Sequence, residues 1–163
     1  MKKITEELRY DGATTDEVHE MLADPTFREK VCDYQRVLRR TVTIDRRADG
    51  GMDVKVDQVQ ETKGVPGFAK KVVGDETNIV QTETWSSKEK GDVHVAIPGK
   101  PGEMKGTATL AEDSGGVTET VALEVKVNIP IVGGKLEGLI ADMLSKALRA
   151  EQKVGRDWLD GKR

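Results

Sequence analysis

The chain has 163 residues, of which 36% are hydrophobic and 34% are charged, and its formal net charge at pH 7 is −3. This composition excludes a disordered chain and is typical of one folded domain that spans residues 1–163. Without a basic excess, a dedicated nucleic-acid surface is not expected. The single cysteine, Cys32, excludes an intrachain disulfide and is typical of a reducing compartment.

The chain has no apolar run of about twenty residues, so we expect no transmembrane segment. Its first residues, MKKITEELRYDG, lack the apolar core and cleavage site of a signal peptide. We therefore expect a cytoplasmic protein. The pattern gives no indication of the oligomeric state.

The N-terminal part of the chain predicts a strand followed by two short helices. Apolar and polar residues alternate over the first ten residues, as in a strand with one buried face. Thr14 and Glu17 have the spacing of a capping box, which predicts the start of the first helix. Asp24 followed by Pro25 predicts the N-cap and first position of the second helix. Both helices are expected between residues 14 and 34.

Six extended segments follow the second helix and bring the predicted number of strands to seven. A turn at Asp49-Gly50-Gly51 joins the first two of these segments. The longest is GVTETVALEVKVNI, where apolar residues hold the odd positions from Val117 to Ile129, except at Glu119. Such alternation is typical of an antiparallel sheet with one buried and one solvated face.

The C-terminal residues predict one long helix from about Lys135 to Asp160. At 1.5 Å per residue this helix would be roughly 39 Å long. Its apolar stripe is wider than a coiled-coil seam requires, and it consists of Leu136, Leu139, Ile140, Met143, Leu144, Ala147, Leu148, Val154 and Trp158. A helix of this length would cover most of one face of a curved sheet. The predicted class is therefore α+β.

Two motifs and the order of the elements resemble a known superfamily. The motifs are DPTF at the start of the second helix and the strand-to-helix junction VNIPIVGGKLEGLI. Together they are similar to the START-like (SRPBCC) superfamily, which includes lipid-transfer START domains, birch-pollen-allergen-type proteins and polyketide cyclases. The chain looks especially close to a bacterial branch without an assigned function. The resemblance implies a helix-grip fold, with a curved seven-stranded antiparallel sheet and the long helix packed across it.

The resemblance also implies a cavity between the sheet and the long helix. It would hold a lipid or another apolar small molecule, and the protein would act as a carrier, sensor or scavenger. One alternative is a cyclase- or aromatase-like enzyme, for which Arg40, Glu83 and Glu119 are the available acid/base groups. A second alternative is an interaction module whose helix stripe simply fills the core.

Candidate ligand-binding residues follow from the alternation and from the helix stripe. Arg40 lies on the apolar face of its strand, where it would anchor a polar ligand group, pair with Glu119, or reach solvent through a bulge. Two faces of the strand that ends at Trp85 compete for the inward side, one with Glu83 and one with Thr84. The candidate set is Leu38, Arg40, Val42, Gln58, Trp85, Leu136, Ile140 and Met143.

The segment VPGFAKKVVG predicts an apolar loop, with Phe68 as a gate over the cavity. Lys70 and Lys71 would then meet an anionic head group or a membrane surface. The alternative is that the loop packs on a small apolar cluster of its own. The two histidines and Cys32 are not spaced as metal ligands, so we expect no metal site and no cofactor.

Overall fold

A computed structural model of the protein describes residues 1–62 and 64–163. The described residues form seven strands and four helices. In chain order they are β1 (Lys2–Asp11), α1 (Thr15–Leu22), α2 (Pro25–Tyr34), β2 (Arg39–Arg46), β3 (Met52–Glu61), α3 (Gly67–Val73), β4 (Glu76–Trp85), β5 (Lys90–Ala96), β6 (Glu103–Asp113), β7 (Gly116–Lys126) and α4 (Gly133–Leu159).

The strands form one antiparallel sheet in the order β1-β7-β6-β5-β4-β3-β2. Consecutive strands from β2 to β7 are neighbours, and β1 closes the order against β7. The predicted α+β helix-grip layout is therefore confirmed. None of the described helices is long and apolar enough to cross a membrane.

The two short helices begin at the predicted caps. The Thr14 hydroxyl accepts a hydrogen bond from the Glu17 amide at 3.2 Å, and the Glu17 carboxylate accepts one from the Thr14 amide at 3.0 Å. Asp24 caps α2 by accepting from the Thr26 amide at 2.9 Å, with Pro25 at the first helical position. These caps satisfy amides that have no partner inside the helix.

Alternation decides which side chains of the sheet face α4. On β7 the odd positions from Val117 to Val125 are buried, and Glu119 is among them. On β4 the buried side carries Glu83 and Trp85, while Thr84 is exposed. The ambiguity in the orientation of β4 is therefore resolved in favour of the face with Trp85.

The helix α4 packs mainly against β1 and α2, with further contact to α1 and β7. Gly155 permits a close approach to β1, because a Cβ atom there would lie 2.8 Å from Cε1 of the Tyr10 ring. At its other end α4 packs on α3 through Leu136, Ala69 and neighbouring apolar residues. Between these two ends the helix leaves space against the middle of the sheet.

The predicted loop VPGFAKKVVG is wrong, because this segment contains the helix α3. Val65, Ala69 and Val72 recur at helical spacing and pack in one cluster with Val127 and Leu136. Gly64 and Gly74, with φ of 78° and 82°, flank the helix. Burial of one apolar face thus stabilises a helix too short to form alone.

Candidate functional site

A cavity of about 360 Å³ lies between the sheet, α3 and α4. Apolar side chains from β4, β5 and β6 form its floor, and α4 forms the opposite wall. The wall from α4 consists of Leu136, Leu139, Ile140, Met143, Leu144 and Ala147. Ala69, Val72 and Val73 of α3 close one side. The space is thus predominantly apolar, as small-molecule sites usually are.

A few polar groups interrupt the apolar floor. Gln58 on β3 is buried and accepts a hydrogen bond from the side-chain amide of Gln60 at 3.0 Å. Thr77 and Gln81 on β4 also line the cavity. Such isolated polar groups can fix the orientation of a bound molecule.

A larger depression of about 630 Å³ lies on the opposite face of the sheet. Its lining includes Thr84, Asp92, His94, Lys105 and Glu124, most of which alternate with inward-facing residues. It is broad and open, and its polar rim is ordinary for the solvated side of an antiparallel sheet. The candidate site is therefore the cavity beneath α4.

A buried ion pair lies beside the cavity. Arg28 of α2 donates two hydrogen bonds to the two oxygens of Glu83, at 2.7 and 2.9 Å. Glu83 also accepts from Gln81 at 2.6 Å and from the Trp85 indole at 2.8 Å. Burial raises the pKa of Glu83, but the charge and hydrogen bonds of Arg28 outweigh burial and lower it overall. Glu83 is therefore a carboxylate fully occupied by protein donors.

Two further glutamates line a small space of about 40 Å³ that adjoins the cavity. Gln81, Leu144 and Ala147 line both spaces. Burial, with the negative charges of Glu151 and Glu83, raises the pKa of Glu119 well above its ordinary value. Burial also raises the pKa of Glu151 to about 7, despite the opposing effect of Arg28. Both shifts favour the protonated, neutral form of these two carboxyl groups.

The family model described as "Protein of unknown function (DUF2505)" matches residues 5–159. The chain belongs to the DUF2505 family. "Uncharacterized protein Rv0481c" of Mycobacterium tuberculosis is 31% identical to this DUF2505 protein over 121 residues, which cover 71% of this chain and 70% of the relative.

Solved structures share the fold of this DUF2505 protein. Protein Ms6760 from Mycobacterium smegmatis matches with a TM-score of 0.64 and 14% identity, over 99% of this chain and 92% of that chain. The di-domain ARO/CYC StfQ from the steffimycin biosynthetic pathway matches with a TM-score of 0.64 and 12% identity, over 98% of this chain and 51% of that chain. These likenesses confirm the predicted START-like fold, and the family match and the mycobacterial relative place the chain near a bacterial branch of unknown function.

Four of the candidate residues in this DUF2505 protein lie on the cavity wall. Gln58 reaches it from β3, and Leu136, Ile140 and Met143 reach it from α4. Met143 is 39% exposed, so it stands near the opening. Because all four residues line the cavity, we propose that they contact a ligand there.

Arg40, a predicted ligand contact, does not line the cavity, and the alternative in which it pairs with Glu119 is wrong. Its guanidinium bonds the carboxylates of Asp33 and Glu29 on α2, each at 2.7 Å. The acidic face of α2 packs over β2 and holds Arg40 at the half-exposed edge of the sheet. Of the three acid/base candidates, Glu83 and Glu119 belong to the buried cluster and Arg40 does not.

Leu38, Val42 and Trp85 also lie outside the cavity lining. Leu38 precedes β2 and is 40% exposed, and Val42 packs against the core. Trp85 is fully buried beyond the cavity, where its ring lies 6.1 Å from that of His19 in an edge-on arrangement. A ligand confined to this cavity would therefore not touch these three residues.

Phe68, the predicted gate, is 37% exposed and is not part of the cavity lining. The residues of this segment that do line the cavity are Val65, Ala69, Val72 and Val73. The contact of this segment with the cavity thus comes from small aliphatic side chains.

Arg28, which is buried, and Glu151, which is partly buried, also belong to this cluster and were not among the predicted residues. Glu151 lies three residues after Leu148 and three before Val154, so helical spacing alone places it on the apolar stripe. That spacing could have identified Glu151. Arg28 follows Phe27 directly, and nothing in the local pattern distinguishes it from a solvated helix residue.

Proposed function

We propose that this DUF2505 protein binds a hydrophobic small molecule in the cavity beneath α4, as a carrier, sensor or scavenger. The observation that carries this proposal is the apolar space of about 360 Å³ between the sheet, α3 and α4. This volume is at the low end of the range for ligand pockets. It therefore favours one compact molecule over a lipid with two long chains.

The small side chains on the cavity wall support the same proposal. Larger side chains at positions such as Ala147 and Ala69 would close the cavity. The interaction-module alternative required a filled core, and the cavity disfavours it.

Polar residues mark the mouth of the proposed site. Lys100 and Lys146 are exposed and contribute to the cavity lining, as does Met143. An apolar molecule would enter on this side, between α4 and the loop that precedes β6. Its buried part would then contact Leu136 and Ile140.

The test is binding of the fluorescent apolar probe N-phenyl-1-naphthylamine, with a variant that fills the cavity. Ala147→Phe should weaken probe binding at least tenfold, because the added ring occupies the space between α4 and the sheet. Ala111→Phe is the matched control, because Ala111 is exposed on β6 and this variant should bind as the unchanged protein does. Absence of probe binding, or equal binding by both variants, would contradict the proposal.

A further inference from the structure

The small space beside the cavity contains a buried carboxyl oxygen without a partner. Glu119 is 3% exposed, and its Oε1 makes no hydrogen bond. Glu119 and Glu151 both line this space of about 40 Å³. A space of this size accommodates a single polar group, and it adjoins the cavity at Gln81, Leu144 and Ala147.

On the basis of the proposed function, we propose that Glu119 and Glu151 bind the polar end of the ligand, and that this end is a neutral hydrogen-bond acceptor such as a ketone carbonyl. The apolar body of the ligand would fill the cavity beneath α4. Its carbonyl oxygen would enter the small space and accept a hydrogen bond from a protonated carboxyl group.

The charges around the small space favour an acceptor. Arg28 and Glu83 neutralise each other's charge through two hydrogen bonds. Gln81 and the Trp85 indole also donate to Glu83. Glu119 has no such donor to its Oε1, and burial raises its pKa well above its ordinary value. A protonated carboxyl group has one O–H to donate. The partner that the Glu119 carboxyl group lacks is therefore a hydrogen-bond acceptor.

Charged ligand ends fit this space less well. A carboxylate would lie beside the ionised Glu83, and like charges at close range are unfavourable in a buried site. An ammonium group would require Glu119 or Glu151 to ionise beside Glu83, which burial and the charge of Glu83 disfavour. The described residues also contain no group of three or more His, Cys, Asp or Glu side chains that could hold a metal ion.

The pH dependence of binding follows from the groups that face Glu119. These are Glu83 from β4, Arg28 from α2, Glu151 from α4 and Tyr10 from β1. Of these, Glu151 ionises near neutral pH, because burial raises its pKa to about 7. Its negative charge disfavours a carbonyl oxygen nearby. Affinity for the acceptor should therefore fall as pH rises through about 7.

The experiment compares 2-acetylnaphthalene with 2-ethylnaphthalene, two molecules of similar shape that differ by one carbonyl oxygen. Each competes with N-phenyl-1-naphthylamine for the protein at about pH 6 and about pH 8.5. The ketone should bind about 3- to 10-fold more tightly than the hydrocarbon at the lower pH, as expected for one net hydrogen bond. This preference should shrink at the higher pH.

Variants assign the effect to the two carboxyl groups. Glu119→Gln keeps an N–H donor and should keep the ketone preference, whereas Glu119→Leu should remove it. Glu151→Gln should abolish the pH dependence of the ketone preference. Glu89→Gln, at an exposed position, is the control and should change neither the ketone preference nor its pH dependence. Glu119→Gln and the ligand pair on the unchanged protein suffice if Glu119→Leu does not fold.

Equal competition by the two naphthalenes at about pH 6 would overturn the inference while leaving cavity binding intact. Tighter binding of 2-(aminomethyl)naphthalene than of the ketone would overturn it in favour of a cationic ligand end. Failure of the probe itself to bind would instead contradict the proposed function.

Discussion

Arg28 and Arg40 show how differently two guanidinium groups act within one chain. Arg28 is buried, and its Nε donates to the Leu22 carbonyl at 2.9 Å in addition to the two bonds it makes with Glu83. Arg40 bonds two carboxylates at the half-exposed surface. Desolvation makes the first pair sensitive to loss of one partner, while solvent screens the second.

The Arg28→Ala variant should lower the free energy of unfolding by about 3–5 kcal/mol, because Glu83 would be left as an uncompensated buried charge. The Arg40→Ala variant should lower it by about 1 kcal/mol or less. Urea denaturation at neutral pH measures both values. Similar losses of unfolding free energy in the two variants would contradict the conclusion that the desolvated Arg28–Glu83 pair is the more sensitive of the two.

The stability of the protein should decrease between about pH 5 and about pH 8, in part because of Glu151. Its pKa in the folded protein is about 7, above the ordinary value of 4.5. Its contribution to stability is thus fully present below the unfolded-state pKa and is lost as pH rises through about 7. In the Glu151→Gln variant, the free energy of unfolding should fall by about 1–3 kcal/mol less between these two pH values. Urea denaturation at about pH 5 and about pH 8 measures this free energy, with Glu89→Gln as the control.

At the scale of elements, the two halves of α4 have different surroundings. Its C-terminal half approaches β1 at Gly155, where the Tyr10 ring leaves no room for a side chain. Its N-terminal half borders the cavity, and a Cβ atom added there at Gly138 would meet no other atom within 4 Å. Two glycines in one helix thus have different roles, which substitution can separate.

The Gly138→Ala variant should raise the free energy of unfolding by about 0.5–1 kcal/mol, because alanine favours the helix and meets no atom. The Gly155→Ala variant should lower it despite the same gain in helix propensity, since the new Cβ would lie 2.8 Å from the buried Tyr10 ring. Thermal unfolding of both variants measures the difference in sign. A stabilising Gly155→Ala would show that α4 can move away from β1.

Local patterns predicted most of these elements. The Thr14–Glu17 capping box, the Asp24 cap and the alternation along β7 depend on neighbours in sequence, and the structure confirms each. The helix α3 was missed because its stability comes from packing on Val127 and Leu136, which are distant in the chain. The partner of Glu83 was missed for the same reason, since Arg28 lies 55 residues away.

At the scale of the whole molecule, the cavity arises from the way a long helix meets a sheet at its two ends. Close contact at Gly155 and at Leu136 fixes α4, and small side chains such as Ala147 leave the middle unfilled. Glu83, Glu119 and the partly buried Glu151 line the small space beside that cavity, and Arg28 pairs with Glu83. An apolar body and one polar end are therefore the features expected of the ligand.

The most direct test of this account is a crystal structure of the protein grown with 2-acetylnaphthalene. We expect the naphthalene ring between α4 and the sheet, with its carbonyl oxygen within about 3 Å of a Glu119 or Glu151 carboxyl oxygen. A structure in which α4 packs directly on β4 and β5, without space for the ring, would contradict the central claim that this protein binds an apolar molecule there.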